Sequence, residues 1–343
     1  MRTRHIYFGL AAICILAASC VKQGETAPNE SRKVYLESWM HVNHPGIQPT
    51  GLGIYILEDT PGTGAEWTPG SRFVFVDYTV RSLDGSISST NSEKLSRQLG
   101  TYNKAASYEP VTWTLGEGYS YAGVDEILSG MKVGGTRTAI IPSWLLTQKR
   151  YPSADKYLDV EVDASPAVYT ITLRDMTADL KKYSTDRLHE YVRTNLDSAL
   201  DSTYYNNEDG DRIGFYFQST KQPRPDSTFK SGDIGYLYYV GRRLDGQVFD
   251  TNIADTAKVY GIYNSSNSYT PAKVTFDDNY TDIKFAGSTP ITGFQAAMFR
   301  MHAFEEATTV FYYGLGYGGT TQPLIPGYSS LRFDLILVEN PDK

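Results

Sequence analysis

Gly232-Asp-Ile-Gly-Tyr-Leu-Tyr-Tyr239-Val-Gly-Arg-Arg-Leu-Asp245-Gly246 is a run of β-formers ending in a turn signal, and the chain contains it twice. The earlier copy is Gly70-Ser-Arg-Phe-Val-Phe-Val-Asp-Tyr78-Thr-Val-Arg-Ser-Leu-Asp84-Gly85. Tyr78 and Tyr239 lie 161 positions apart, as do Gly85 and Gly246. A repeat of this period is an internal duplication of a whole domain.

Working outward, Met131-Lys-Val-Gly134 is answered by Met301, 170 positions later, so the second copy carries a net nine extra residues. Each copy closes on a β run, Ala167 to Leu173 and Leu331 to Leu337. Between them Leu188, Tyr191, Val192, Leu196 and Ala199 recur at helical spacing. A helix over 184–201 is expected, with Ser184, Thr185 or Asp186 as its N-cap. The length of 343 residues fits two domains. Glycine, proline and tyrosine are plentiful, which favours β structure. A net charge of −7 lacks the basic balance of a general nucleic-acid binder, so no nucleic acid is expected as a partner.

Arg2, Arg4 and His5 precede an apolar run from Ile6 to Ala18, too short to span a bilayer and suited to a secretory signal. It ends Leu16-Ala-Ala-Ser-Cys20, which resembles the lipobox of bacterial lipoproteins, where the cysteine is lipidated. That resemblance implies a lipid-anchored protein of the bacterial cell envelope, expected at the outer membrane, with Cys14 lost with the signal. Residues 21–49 are polar and suit a tether. His41 and His44 lie there without a third ligand nearby, and the acidic run Asn206 to Asp211 lacks EF-hand spacing. No metal and no cofactor is expected. Gly314-Leu-Gly-Tyr-Gly-Gly319 matches a dinucleotide-loop pattern formally, but the Thr- and Pro-containing run after it does not open a helix.

The second copy resembles the FKBP-type peptidyl-prolyl isomerases from about Phe229 to Val338. The resemblance is carried by Gly232-Asp233, Tyr239, Leu244-Asp245-Gly246, Phe249-Asp250, Ile291-Thr292-Gly293-Phe294, Tyr317-Gly318, Ile325-Pro326 and Leu331-Arg332-Phe333-Asp334. It implies an α+β fold: two FKBP-like domains, each a curled antiparallel sheet wrapped around a short helix, joined by a helical linker. The boundaries expected are 1–19 signal peptide, 20–49 tether, 50–176 first domain, 177–204 linker and 205–343 second domain. It also implies a pocket of Tyr239, Phe249, Asp250, Ile291, Phe294, Tyr317 and Phe333. Phe294 stands where the family has Trp, Pro290 where it has a small aliphatic, and a long insertion over about 251–282 follows Phe249-Asp250. The first copy keeps the framework but has Ser88-Ser89 for the Phe-Asp pair, Val124 at the aromatic helix start and Leu146-Thr147 in place of Tyr-Gly. It is expected to be degenerate, with framework kept and pocket lost.

The chemistry implied is rotation of X–Pro amides, whose barrier of ~18–20 kcal/mol comes from amide resonance. A dry aromatic cup that prefers the twisted amide needs no nucleophile or metal. The partners implied are folding envelope proteins with X–Pro bonds. A non-catalytic FKBP-like chaperone or scaffold uses the same binding surface without the catalysis, and a glycan-binding lipoprotein is suggested only by the Tyr content and tether.

Overall fold

A computed structural model of the chain describes residues 27–196, 205–206, 212–221 and 228–340. The signal segment with Cys14 and Cys20, Ala199 of the expected helix and residues 207–211 of the acidic run lie outside the described residues.

The chain opens with α1 (Glu30–Asn43), where a polar tether was expected. Leu36 and Met40, one turn apart, are buried in the first domain's core, and Asn29 donates its amide to the carbonyl of Leu158 at 3.2 Å. The helix therefore belongs to the first domain. His41 and His44 sit on its last turn and C-cap, and the His44 ring packs on Trp39.

The first sheet is built from β1 (Tyr55–Thr60), β2 (Phe73–Ser82), β3 (Ile87–Thr90), β4 (Val111–Thr114), β5 (Thr136–Ile141) and β6 (Ala167–Thr177), all antiparallel. Its order is β1-β5-β6-β2-β3, with β4 on the same edge of β2 as β3. Short helices α2 (Glu93–Gln98), α3 (Ala122–Leu128) and α4 (Ala154–Leu158) lie in the connections. Val74 and Val76 alternate inward on β2, as do Tyr169, Ile171 and Leu173 on β6, and α3 buries Val124, Ile127 and Leu128 in the same core. This is the period-2 pattern of a half-buried strand wrapped on a helix.

α5 (Leu180–Asn195) follows, capped by Asp179, whose carboxylate accepts from the Lys182 amide. The cap thus lies five residues before the earliest of the expected ones, because the apolar face extends back to Leu180. The helix touches both domains. Tyr183 stacks on Phe75 at 4.4 Å, while Leu188 and Val192 pack on Tyr216 and Val310.

The second domain begins with the two-residue ladder β7 (Tyr205–Asn206) and β8 (Arg212–Ile213). Its sheet contains β9 (Phe215–Lys221), β10 (Ile234–Arg243), β11 (Val248–Thr251), β12 (Ala272–Thr275), β13 (Lys284–Phe285), β14 (Glu306–Phe311) and β15 (Leu331–Val338). The order is β13-β12-β10-β15-β14-β9, with β11 also on β10. α6 (Ala254–Tyr260) and α7 (Thr292–Arg300) complete it. Strict alternation buries Leu331, Phe333, Leu335 and Leu337 of β15.

The duplication extends to individual hydrogen bonds. The Tyr78 amide donates to Asn91 Oδ1 at 2.7 Å, and the Tyr239 amide donates to Asn252 Oδ1 at 2.9 Å. Asn91 donates back to Val76 and Glu109, and Asn252 to Leu237 and Thr270, each partner 161 positions on. Tyr102 stacks on Tyr108, and Tyr263 on Tyr269. The segments 90–114 and 251–275 therefore have equal length and the same build, so the extra residues of copy two do not lie at 251–282 as a whole. Thr114 pairs with Phe73 and Thr275 with Ile234 in the same register. Beyond that point Leu115 to Tyr121 spans six steps and Phe276 to Ile291 spans fifteen. The nine extra residues form the excursion that carries β13.

Candidate functional site

α7 starts at a place where glycine is required. A Cβ on Gly293 would overlap the Phe311 ring of β14, and one on Gly123 would overlap Ile141 of β5. The missing side chain lets each helix lie directly on its sheet. In the second domain Phe294 from α7 and Phe333 from β15 pack together there, with ring centroids 4.8 Å apart and only 3% and 5% exposed. Tyr239 of β10 stands edge-on to Phe294 at 5.7 Å and tilted to Phe333 at 6.4 Å. Phe249 of β11 meets Phe333 at 5.7 Å. Ile291 caps α7, its carbonyl accepting from the Phe294 and Gln295 amides. Ile291 and Tyr317 are half-buried against the same core.

The polar rim is Tyr239, Asp250 and Tyr317. The Tyr239 hydroxyl donates to Asp250 Oδ2 at 2.7 Å. Burial raises the Tyr239 phenol well above its ordinary pKa, and the Asp250 charge and hydrogen bond raise it further. Burial likewise raises Tyr317, with the Asp250 charge second. Both phenols are therefore neutral donors at any physiological pH. The fold thus brings the seven residues named from the sequence to one place: five aromatic rings, an apolar helix cap and one exposed carboxylate. What sequence reasoning missed is Phe285 on β13, edge-on to Tyr239 at 5.5 Å and Phe294 at 5.2 Å, and the Asn252 bracket beneath Tyr239. The repeated Thr-Asn pairs, Thr90-Asn91 and Thr251-Asn252, were the available signal for the latter.

The first domain corrects the expectation of a lost pocket. A cavity of about 630 Å3 opens there, lined by Tyr78, Trp113, Tyr121 and Val124 among others, with Tyr328 of the second domain on its rim. Tyr169 closes its inner side, its phenol raised by burial to about 12. What copy one has lost is the rim chemistry. Ser89 Oγ takes the place of Asp250 beside the Tyr78 hydroxyl, at 3.0 Å, and exposed Ser88 replaces Phe249.

Comparison with known proteins gives matches to part of the chain. Residues 65–174 match the family model described as FKBP-type peptidyl-prolyl cis-trans isomerase. A short-type peptidyl-prolyl cis-trans isomerase of Methanocaldococcus jannaschii is 31% identical over 90 residues, covering 26% of this chain and 54% of the relative. The chain thus spans about half the length of this curated relative. Among solved structures, the three FKBP domains of wheat FKBP73 align at 17% identity over 83% of this chain and 94% of that one, with a TM-score of 0.29. FkpA from Escherichia coli aligns at 18% identity over 47% and 62%, with a TM-score of 0.30. Residues 65–174 match an FKBP-type peptidyl-prolyl cis-trans isomerase domain, and the α+β architecture is two FKBP-like units, the second repeating the build of the first. The family match falls on copy one, although copy two holds more of the side chains that the resemblance implies for a pocket. Copy one runs unbroken from Thr114 through Gly123 to Met131-Lys-Val-Gly134, whereas the excursion before Ile291 interrupts that stretch in copy two.

Proposed function

We propose that the protein is a peptidyl-prolyl cis-trans isomerase of the bacterial cell envelope, active through its second domain and anchored by lipid on Cys20. The observation that carries the catalytic part is the buried Phe294–Phe333 floor beneath the Tyr239–Asp250 hydrogen bond. A proline ring on that floor would leave its amide at the rim, shielded from water. Resonance gives the planar amide a carbonyl rich in negative charge, which water stabilises. Removing water costs the planar form more than the twisted one. The Tyr317 hydroxyl supports this as a neutral donor for a substrate carbonyl, and Asp250 holds Tyr239 in place. The substrates are folding proteins with exposed X–Pro bonds. The anchor is supported by the apolar run and the small residues before Cys20.

The test uses the mature full-length chain and a proline tetrapeptide. Phe249→Ala combined with Asp250→Ala is expected to lower kcat/KM about 100-fold. Trp113→Ala combined with Tyr121→Ala is expected to leave it within about twofold. The reverse pattern moves the activity to the first domain. A wild-type rate equal to the uncatalysed one overturns catalysis. The reading then favoured is a binding scaffold, for which the first domain's open cavity is the supporting observation.

A further inference from the structure

The two copies differ most where their cups should match. In copy one, Trp113 on β4 packs against Tyr78, with ring centroids 5.1 Å apart, and lines the cavity. The counterpart of Trp113 on β12 is Val274, paired with Gly235 just as Trp113 is paired with Val74. Valine has no ring and cannot span to Tyr239. Yet an aromatic ring stands beside Tyr239 at nearly the same distance. It belongs to Phe285, from the nine-residue excursion, 5.5 Å away and edge-on at 85°. Phe285 is paired with Val274 across the β12–β13 ladder, so its ring comes from the next strand out.

The excursion is held firmly. Ile283 is fully buried in the second core. Gln295 of α7, itself buried, donates its side-chain amide to the Thr281 carbonyl at 2.7 Å and the Ile283 carbonyl at 3.1 Å. The position of Gln295 in copy one is Asp125, which pairs instead with Arg150. Immediately after Phe285 the chain reverses in two residues, closed by reciprocal Phe285–Ser288 backbone bonds of 2.9 and 3.0 Å. Ala286 and Gly287 both take positive φ, +48° and +80°, as this tight hairpin turn requires. An alanine in that region is disfavoured, and the surrounding contacts hold it there.

We propose that Phe285 is an aromatic wall of the second domain's proline cup, supplied by an inserted hairpin in place of the side chain that β12 lacks. This rests on the isomerase reading above. It makes Phe285 a substrate-contacting residue that positional comparison with other family members does not assign, because it lies in an insertion. A ring carried between a segment that Gln295 holds by its backbone and a tight hairpin is a fixed wall and not a mobile plug.

The experiment compares Phe285→Ala, Phe285→Leu and Phe285→Tyr in the mature full-length chain. Each is assayed with a proline tetrapeptide for kcat/KM and titrated with the same peptide by NMR. Phe285→Tyr is expected to stay within about threefold of wild type, and Phe285→Ala to fall about tenfold in both readouts. Phe285→Leu keeps the apolar bulk that holds the hairpin. It is expected to fold like wild type and still lose about fivefold, which covers the case in which the alanine variant unfolds. Unchanged or faster turnover in the leucine and alanine variants overturns the proposal, faster turnover marking Phe285 as a plug. If the wild type binds the peptide without isomerising it, the isomerase reading fails alone. The tenfold loss of binding then still supports the wall. If the wild type neither binds nor turns over the peptide, both fall.

Discussion

Asn252 shows how much one side chain can organise at this site. It is buried, accepts from the Tyr239 amide and donates to the carbonyls of Leu237 and Thr270. It thereby ties β10 to the loop that follows α6, directly below the rim tyrosine. Asn91 does the same 161 positions earlier. Removing the amide strands a buried N–H and two carbonyls, and Asn252→Ala is expected to cost about 2–4 kcal/mol. Asn252→Asp is expected to be at least as damaging. It keeps the acceptor for Tyr239 but turns the donor toward two carbonyls into a charged acceptor. Urea unfolding checks both variants. A midpoint for Asn252→Asp close to wild type would mean that the two donated bonds contribute nothing.

At the level of elements, the strands were legible because their alternation is strong. The β10 and β15 runs and the Leu-Asp-Gly turns stand where the spacing put them, and the short helix that the family resemblance implied runs from Thr292 to Arg300. The seven cup residues converge because that framework leaves them little freedom. Three elements were not legible, each for a physical reason. α1 is polar on most of its surface and buries only Leu36 and Met40 fully, so its composition imitates a tether. β13 has two residues, and its place depends on the buried Gln295, a residue that carries no strand signal. The first domain's cavity survives because Trp113 and Tyr121 line it, although the positions compared with the family, Ser88, Ser89 and Val124, are small. The helix–sheet contact itself is testable. Gly293→Ala forces a methyl group into the Phe311 ring, an overpacking expected to cost about 1–3 kcal/mol. Because α7 carries Phe294, the displaced helix should also weaken proline-peptide binding. A variant with wild-type Tm would mean that α7 shifts without cost.

Across the whole molecule, a buried cation lies at the contact between the domains. Arg243, at the end of β10, is 5% exposed. Its guanidinium donates to the Ala105 and Ala106 carbonyls of the first domain, each at 3.2 Å, and to the Leu324 carbonyl of the second at 2.6 Å. Asp245 neutralises it at 2.8 Å. Lys104 adds a bond to the Val259 carbonyl at 2.7 Å, and Tyr328 reaches the Thr114 hydroxyl at 3.2 Å on the rim of the first domain's cavity. The guanidinium fork suits this position, since one planar group serves three carbonyls and a carboxylate in different directions. Copy one has Ser82 at the matching position, so the clamp belongs to the pair of domains and not to the repeated unit. Arg243→Met keeps the apolar stem but leaves three carbonyls and Asp245 without their donor. The expected loss is about 2–4 kcal/mol, concentrated on the contact between domains. Each domain keeps its own core, so the variant should melt in two calorimetric steps where the wild type melts in one, and its scattering radius in solution should increase. Arg243→Lys is expected to recover little, because an ammonium lacks the fork. One transition at the wild-type temperature in both variants would show that α5 alone holds the domains together.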